Sequence, residues 1–198
     1  MKHLKVSLFF LSVLFSFGAA SNASLEYTLG IKSSEVDSFI LMLNAKKSYA
    51  VAESIDYPES FSKEELKKDQ HAIMSAHKIL FQHLGEFSEL KPIEEGVSFY
   101  EVGLSGGSIY WWAANNQIIT KKYLFSVQFS KYGKGYLKLF TSNKDGEEKV
   151  VGFYYGLPIN NDSKQQMISV MNSLLDSQGV PRNHPYRNKM ERNLPVSG

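Results

Sequence analysis

The chain has 198 residues, 43% hydrophobic and 21% charged, a globular composition of one domain or two small ones that excludes a disordered chain. Cysteine is absent, which excludes a disulfide framework, a thiol nucleophile, a cysteine-ligated metal and a cysteine-borne lipid anchor. The formal charge is +2, from 22 basic and 20 acidic residues. Met1 to Lys5 carries two lysines and no acid, Val6 to Phe17 is an apolar run, and small residues follow from Gly18 to Ala23. Basic head, apolar middle and small-residue exit predict a secretory signal peptide over residues 1–23, cleaved after Ala20 or Ala23. The run is short of the roughly 20 apolar residues that a membrane span takes, and no later stretch is apolar enough for one. Of the 22 basic residues, losing Lys2 and Lys5 leaves 20 against 20 acids. A neutral exported chain has no electrostatic reason to seek nucleic acid or an anionic membrane. The expected destination is a bacterial periplasm or the medium.

In chain order, Leu25, Tyr27, Leu29 and Ile31 alternate and suggest a short strand or extended arm. Ser34 to Ser54 reads as one helix, with Val36, Ile40, Leu43 and Ala50 at helical spacing and Ser34 and Asp37 at its cap. Asp56-Tyr57-Pro58 ends it. Ser62 opens a second helix through a capping box with Glu65, and Gly85 stops it. Beyond Pro92 the period changes to two. Strands are predicted over Val97 to Leu104, Ile109 to Ala114, Gln117 to Ser130, Tyr136 to Thr141 and Glu148 to Leu157. Short polar turns separate them, Asp145-Gly146 being the strongest hairpin signal, so an antiparallel meander is expected. Asp162 or Ser163 caps a last helix, striped by Met167, Ile168, Met171, Leu174 and Leu175 and ended by Gly179 and Pro181. Residues 24–180 therefore read as one α+β domain, with N-terminal helices on a curved antiparallel meander and a C-terminal helix. Residues 181–198 read as a mobile basic tail.

The aromatics set the functional expectation. Of 26 in the chain, fourteen lie between Phe99 and Tyr155. A half-exposed sheet should keep one face polar, yet several strands carry apolar or aromatic residues on both. Helices can bury one face. The other needs a cover: the last helix or N-terminal arm, a partner subunit, or a small apolar ligand in a pocket. Tyr110, Trp111, Trp112, Tyr123, Phe125 and Tyr154 are the candidate residues for such an interface or pocket.

Catalytic signals are weak. His71, His77 and His83 are six apart, so successive side chains leave a helix on different faces, and no pair has the i, i+4 ligand spacing. All are expected at the surface or its boundary, and neither metal nor cofactor is expected. Glu64-Glu65, Glu94-Glu95 and Glu147-Glu148 read as solvated surface. Asp56 and Glu101 are the two candidate cavity acids, with a solvent-facing Glu101 the favoured alternative. Leu104 to Ser108 joins two strands and is a turn rather than a nucleophile elbow. No catalytic residue is assigned.

The element order, with the helical stretch Ala45 to Phe87 and the last strand Val150 to Pro158, resembles small exported members of the nuclear-transport-factor-2-like superfamily over roughly Glu35 to Pro158. That resemblance implies a cone whose sheet wraps the helices, frequent dimerisation through the sheet, and a pocket used by some members for isomerase or dehydratase chemistry and by others only for binding. The expected function is that of an exported envelope binding or accessory protein. It would be non-enzymatic, dimerising or holding an apolar ligand through the aromatic sheet, with a homodimer or envelope protein as partner. The alternative is a small cone-cavity enzyme, isomerase- or hydrolase-like, using a buried carboxylate and a tyrosine.

Overall fold

The computed structural model describes residues 26–27, 33–93, 97–103, 119–185, 187 and 194. Helix α1 (Ser34–Asn44) is capped by Ser33, one residue earlier than expected, whose hydroxyl accepts the Val36 N–H. Val36, Phe39, Ile40 and Leu43 form its buried stripe. The helix does not run on to Ser54. An unbroken stripe would next place Lys47 against the core. Instead the chain turns through Lys46 at φ 56°, and α2 (Ser48–Glu53) restarts with Ser48, Val51 and Ala52 facing in. The break keeps Lys47 out of the core, at the cost of one left-handed residue.

Helix α3 (Lys63–Leu84) carries both bonds of the expected capping box between Ser62 and Glu65. Gly85 follows at φ 79°, where a side chain would also collide with Ser130, so the glycine both ends the helix and lets β-structure approach. That structure includes a strand that alternation did not predict, β2 (Phe87–Pro92). Only Phe87 in it is buried, Glu89 sits at φ 55°, and the register slips between Ser88 and Lys91. A bulged, solvent-facing edge strand of this kind has no period of two to read.

The sheet also contains β1 (Glu26–Tyr27), β3 (Phe99–Gly103), β4 (Ile119–Phe129), β5 (Gly133–Lys144) and β6 (Glu147–Pro158). The order is β1-β4-β5-β6-β3, and β2 pairs with β4. Strands β4, β5 and β6 form the expected meander, with Asp145 and Gly146 both at positive φ in the last hairpin. Strand β3 departs from simple order, because it pairs antiparallel with β6. Strand β1 adds to β4 in parallel. The predicted strand Ile109 to Ala114 lies outside the described residues.

The helices share one face of the sheet. Phe39, Leu43, Ile73, Leu80 and Leu84 pack there with Phe125, Val127, Phe129, Leu137, Leu139, Phe153, Tyr155 and Leu157. Helix α4 (Asn161–Ser177) adds Met167, Val170, Met171, Leu174 and Leu175 to the same core. Its cap is Asn160, whose side chain accepts the Ser163 N–H, not Asp162 or Ser163. Beyond it, the Arg187 guanidinium is buried and donates to the carbonyls of Pro181, Asn172 and Val180 and to the side chains of Asn172 and Asp176. Leu194 joins the core.

Candidate functional site

Strand register sorts the aromatic residues onto two faces. Tyr123 and Phe125 share the helix-facing side with Val127 and Phe129, fully buried, their rings parallel with centroids 6.3 Å apart. Tyr154 points the opposite way, because successive strand residues alternate. The structure therefore does not bring Tyr154 together with Tyr123 and Phe125. Tyr110, Trp111 and Trp112 lie outside the described residues.

Tyr154, Phe140 and Val151 form a second, smaller apolar cluster on the outer face, with Ile119 beside it. The Phe140 and Tyr154 rings meet edge to face at 5.5 Å. Along the same face, Phe99 lies over Gly156 and stacks on Tyr136 at 4.7 Å. Between these aromatic groups the Glu101 carboxylate accepts from the Lys138 ammonium at 2.8 Å. Only 5% and 15% of the two side chains is exposed, and the ammonium also stands 5.3 Å from the centre of the Phe140 ring. Glu101 thus faces away from the helices, as strand parity favoured, but it is not solvated. A buried ion pair of this kind costs several kcal/mol to desolvate and becomes strongly destabilising if one partner is lost. The pair bridges β3 and β5 across β6, since Glu101 stands opposite Gly156 and Lys138 opposite Tyr154.

A carboxylate that the sequence pattern did not single out lies at the other end of the sheet. By sequence Glu148 reads as solvated surface beside Glu147, at the start of the last strand. It stands two residues before Val150, however, so both occupy the helix-facing side of β6. Its carboxylate accepts from the Tyr123 hydroxyl at 2.9 Å and the Thr141 hydroxyl at 2.6 Å, with the Lys121 ammonium 3.7 Å away. Counting two residues back from Val150 was the available signal.

Asp56, the other predicted acid, is half-buried where α2 gives way to the sheet. Its N–H donates to the Val150 carbonyl at 2.8 Å, and its carboxylate accepts from the Ser142 hydroxyl at 3.3 Å. It lines an open cleft of about 430 Å³ with Glu35, Glu53, Lys149 and Phe39. No tyrosine hydroxyl lines that cleft. Among the described residues, no group of three histidines or acids is placed to hold a metal ion.

One histidine overturns the surface expectation. His77 is 0% exposed. Its Nε2 lies 3.0 Å from the Leu43 carbonyl, which can only accept, so Nε2 carries the proton. Nδ1 then accepts from the Ser48 hydroxyl at 2.8 Å. One ring ties the end of α1 to the start of α2 from the middle of α3. Burial pushes its pKa below the ordinary value of 6.5, partly offset by the bond to Leu43. Sequence spacing could not show this, because the α1–α2 break that supplies both partners was itself hidden. His83 is half-buried, lies 3.0 Å from the Ser173 hydroxyl of α4, and is also depressed by burial. Among the tyrosines, Tyr57 and Tyr155 have hydroxyls held above their ordinary value of 10 by burial, so they are donors near neutral pH.

No family model matches the chain, and no curated protein or solved structure is significantly similar to it. The α+β class therefore rests on the architecture itself.

Proposed function

We propose that the mature chain is an exported binding or accessory protein of the cell envelope, non-enzymatic, which dimerises or holds an apolar ligand through the outer face of its sheet. One observation carries this reading: the helices occupy a single face of the sheet, yet Phe140, Val151 and Tyr154 are buried and apolar on the other. Those three side chains are at most 2% exposed within the single chain, so a ligand would be enclosed beside them and a partner would meet the rim of the cluster. The basic, apolar and small-residue order of residues 1–23 supports export. A cone of the nuclear-transport-factor-2-like type, with its sheet as the contact face, is the architecture that this function would use.

The test is substitution of Trp111 and Trp112 by alanine in the mature protein. Each variant should keep the wild-type circular dichroism spectrum and lose association or ligand retention. Retention of wild-type assembly and ligand content by both variants would overturn the proposal.

A second reading is favoured by a different observation, the contact of the Tyr123 hydroxyl with Glu148. A carboxylate held by a tyrosine is the pair that a cone-cavity isomerase or hydrolase would use as acid and base. Only 13% of the Glu148 side chain is exposed, so this reading requires an opening to it. Glu148→Gln would abolish turnover of any substrate found; unchanged turnover would remove the reading.

A further inference from the structure

The lysines of this protein are unequally provided for. Lys91, Lys121, Lys138, Lys144 and Lys149 each pair with a carboxylate. Lys46, Lys47 and Lys78 have no ion pair among the described residues, and they border one open cleft of about 640 Å³ between α2 and α3. Lys46 and Lys47 come from the left-handed turn that breaks the first helix, whereas Met74, Lys78 and Gln82 line one face of α3 at a spacing of four. No acidic side chain lines the cleft. The Lys46 ammonium is drawn back over the Phe81 ring, 5.6 Å from its centre. Tyr49 stands at the rim with 65% of its surface exposed, one of the few large hydrophobic residues so open among the described residues. Interaction with the Glu53 carboxylate raises the pKa of its hydroxyl above the ordinary value of 10.

We infer that this cleft binds a small organic phosphate monoester, with the dianion between Lys46, Lys47 and Lys78 and an attached ring against Tyr49 and Met74. A dianion in the cleft would meet three lysines and no lining carboxylate to oppose it. Lysine binds phosphate as a point charge, which suits an open cleft better than a planar fork would. The exposed ring and the thioether offer apolar contact for a ring but not for a bare ion. This site lies on the helices, apart from the outer sheet face, and stands or falls independently of the function proposed above.

The probes are phenyl phosphate, inorganic phosphate and phenol, titrated separately into the mature protein at low ionic strength and followed by amide chemical shifts. Phenyl phosphate should bind more tightly than inorganic phosphate, and phenol should not bind. Lys47→Gln and Lys78→Gln should each weaken both phosphates by about two- to fivefold, the range spanned by exposed ion pairs. Tyr49→Ala should remove the advantage of phenyl phosphate over inorganic phosphate. All three positions are exposed or half-exposed, so unchanged thermal unfolding separates lost binding from lost folding. Absence of phenyl phosphate binding, equal affinity for the two phosphates, or lysine variants that bind like wild type would each overturn the inference.

Discussion

Replacing His77 by glutamine and by alanine separates what its ring does for packing from what its proton does. The ring is fully buried and serves two partners on two helices. Alanine opens a cavity and leaves the Leu43 carbonyl and the Ser48 hydroxyl without their bonds. A large-to-small change in a core costs roughly 2–5 kcal/mol, and unsatisfied buried polar groups cost about 1–3 kcal/mol each. Partial collapse offsets some of this, so His77→Ala should lose about 4 kcal/mol. At roughly 2–4 °C per kcal/mol for a chain of this size, the melting temperature should fall by roughly 8–16 °C. Glutamine can donate to Leu43 and accept from Ser48, so it should lose about half as much.

The pH dependence carries the sharper test. The folded-state pKa of His77 lies below its ordinary value of 6.5 because burial disfavours the charged ring. The neutral form is therefore the one the fold prefers, and below pH 6.5 the unfolded chain takes up a proton that the folded chain does not. Stability from this residue is fully present above pH 6.5 and is lost as the pH falls through and below it, at up to about 1.4 kcal/mol per pH unit. His83 contributes in the same direction, so the comparison must be with His77→Gln, which keeps His83. Urea denaturation at half-unit steps from pH 4.5 to 7.5 should show a shallower slope for His77→Gln than for wild type below pH 6.5, with parallel curves above it. Parallel curves over the whole range would refute the reasoning.

Three further outcomes follow from packing. A Cβ at Gly156 would collide with the Phe99 ring, so Gly156→Ala should displace that ring from Tyr136 and cost about 1–3 kcal/mol, read by denaturation and by near-ultraviolet circular dichroism. Arg187→Ala should cost about 2–3 kcal/mol in denaturation, and Arg187→Lys should recover little, because an ammonium cannot span the guanidinium's five acceptors. Ser62→Ala should cost about 1 kcal/mol by removing the capping bond to the Glu65 N–H.

The elements legible in the sequence were those whose signals are local. The Ser62 and Glu65 box needs only four residues, and the Asp145-Gly146 turn needs two. Both lie where expected, and the β4-β5-β6 meander follows from the turns between its strands. Hidden features depended on partners distant in sequence. The break at Lys46 is set by what α1 and α2 must present to the core, β2 by an edge of β4, and the place of β3 by β6. The candidate sites divide in the same way. Alternation along β4 showed that Tyr123 and Phe125 share a face, but only register could place Tyr154 on the other. Glu101 was visible as an acid in an apolar strand; its partner Lys138, 37 residues away, was not.

The most direct test of the outer-face proposal is native mass spectrometry of the mature protein, purified gently from its own compartment at tens of micromolar. It reports subunit number and any retained molecule together. The account predicts a dimer, or a monomer carrying one defined extra mass of apolar character. A bare monomer, with neither a second copy nor an added mass, would contradict it.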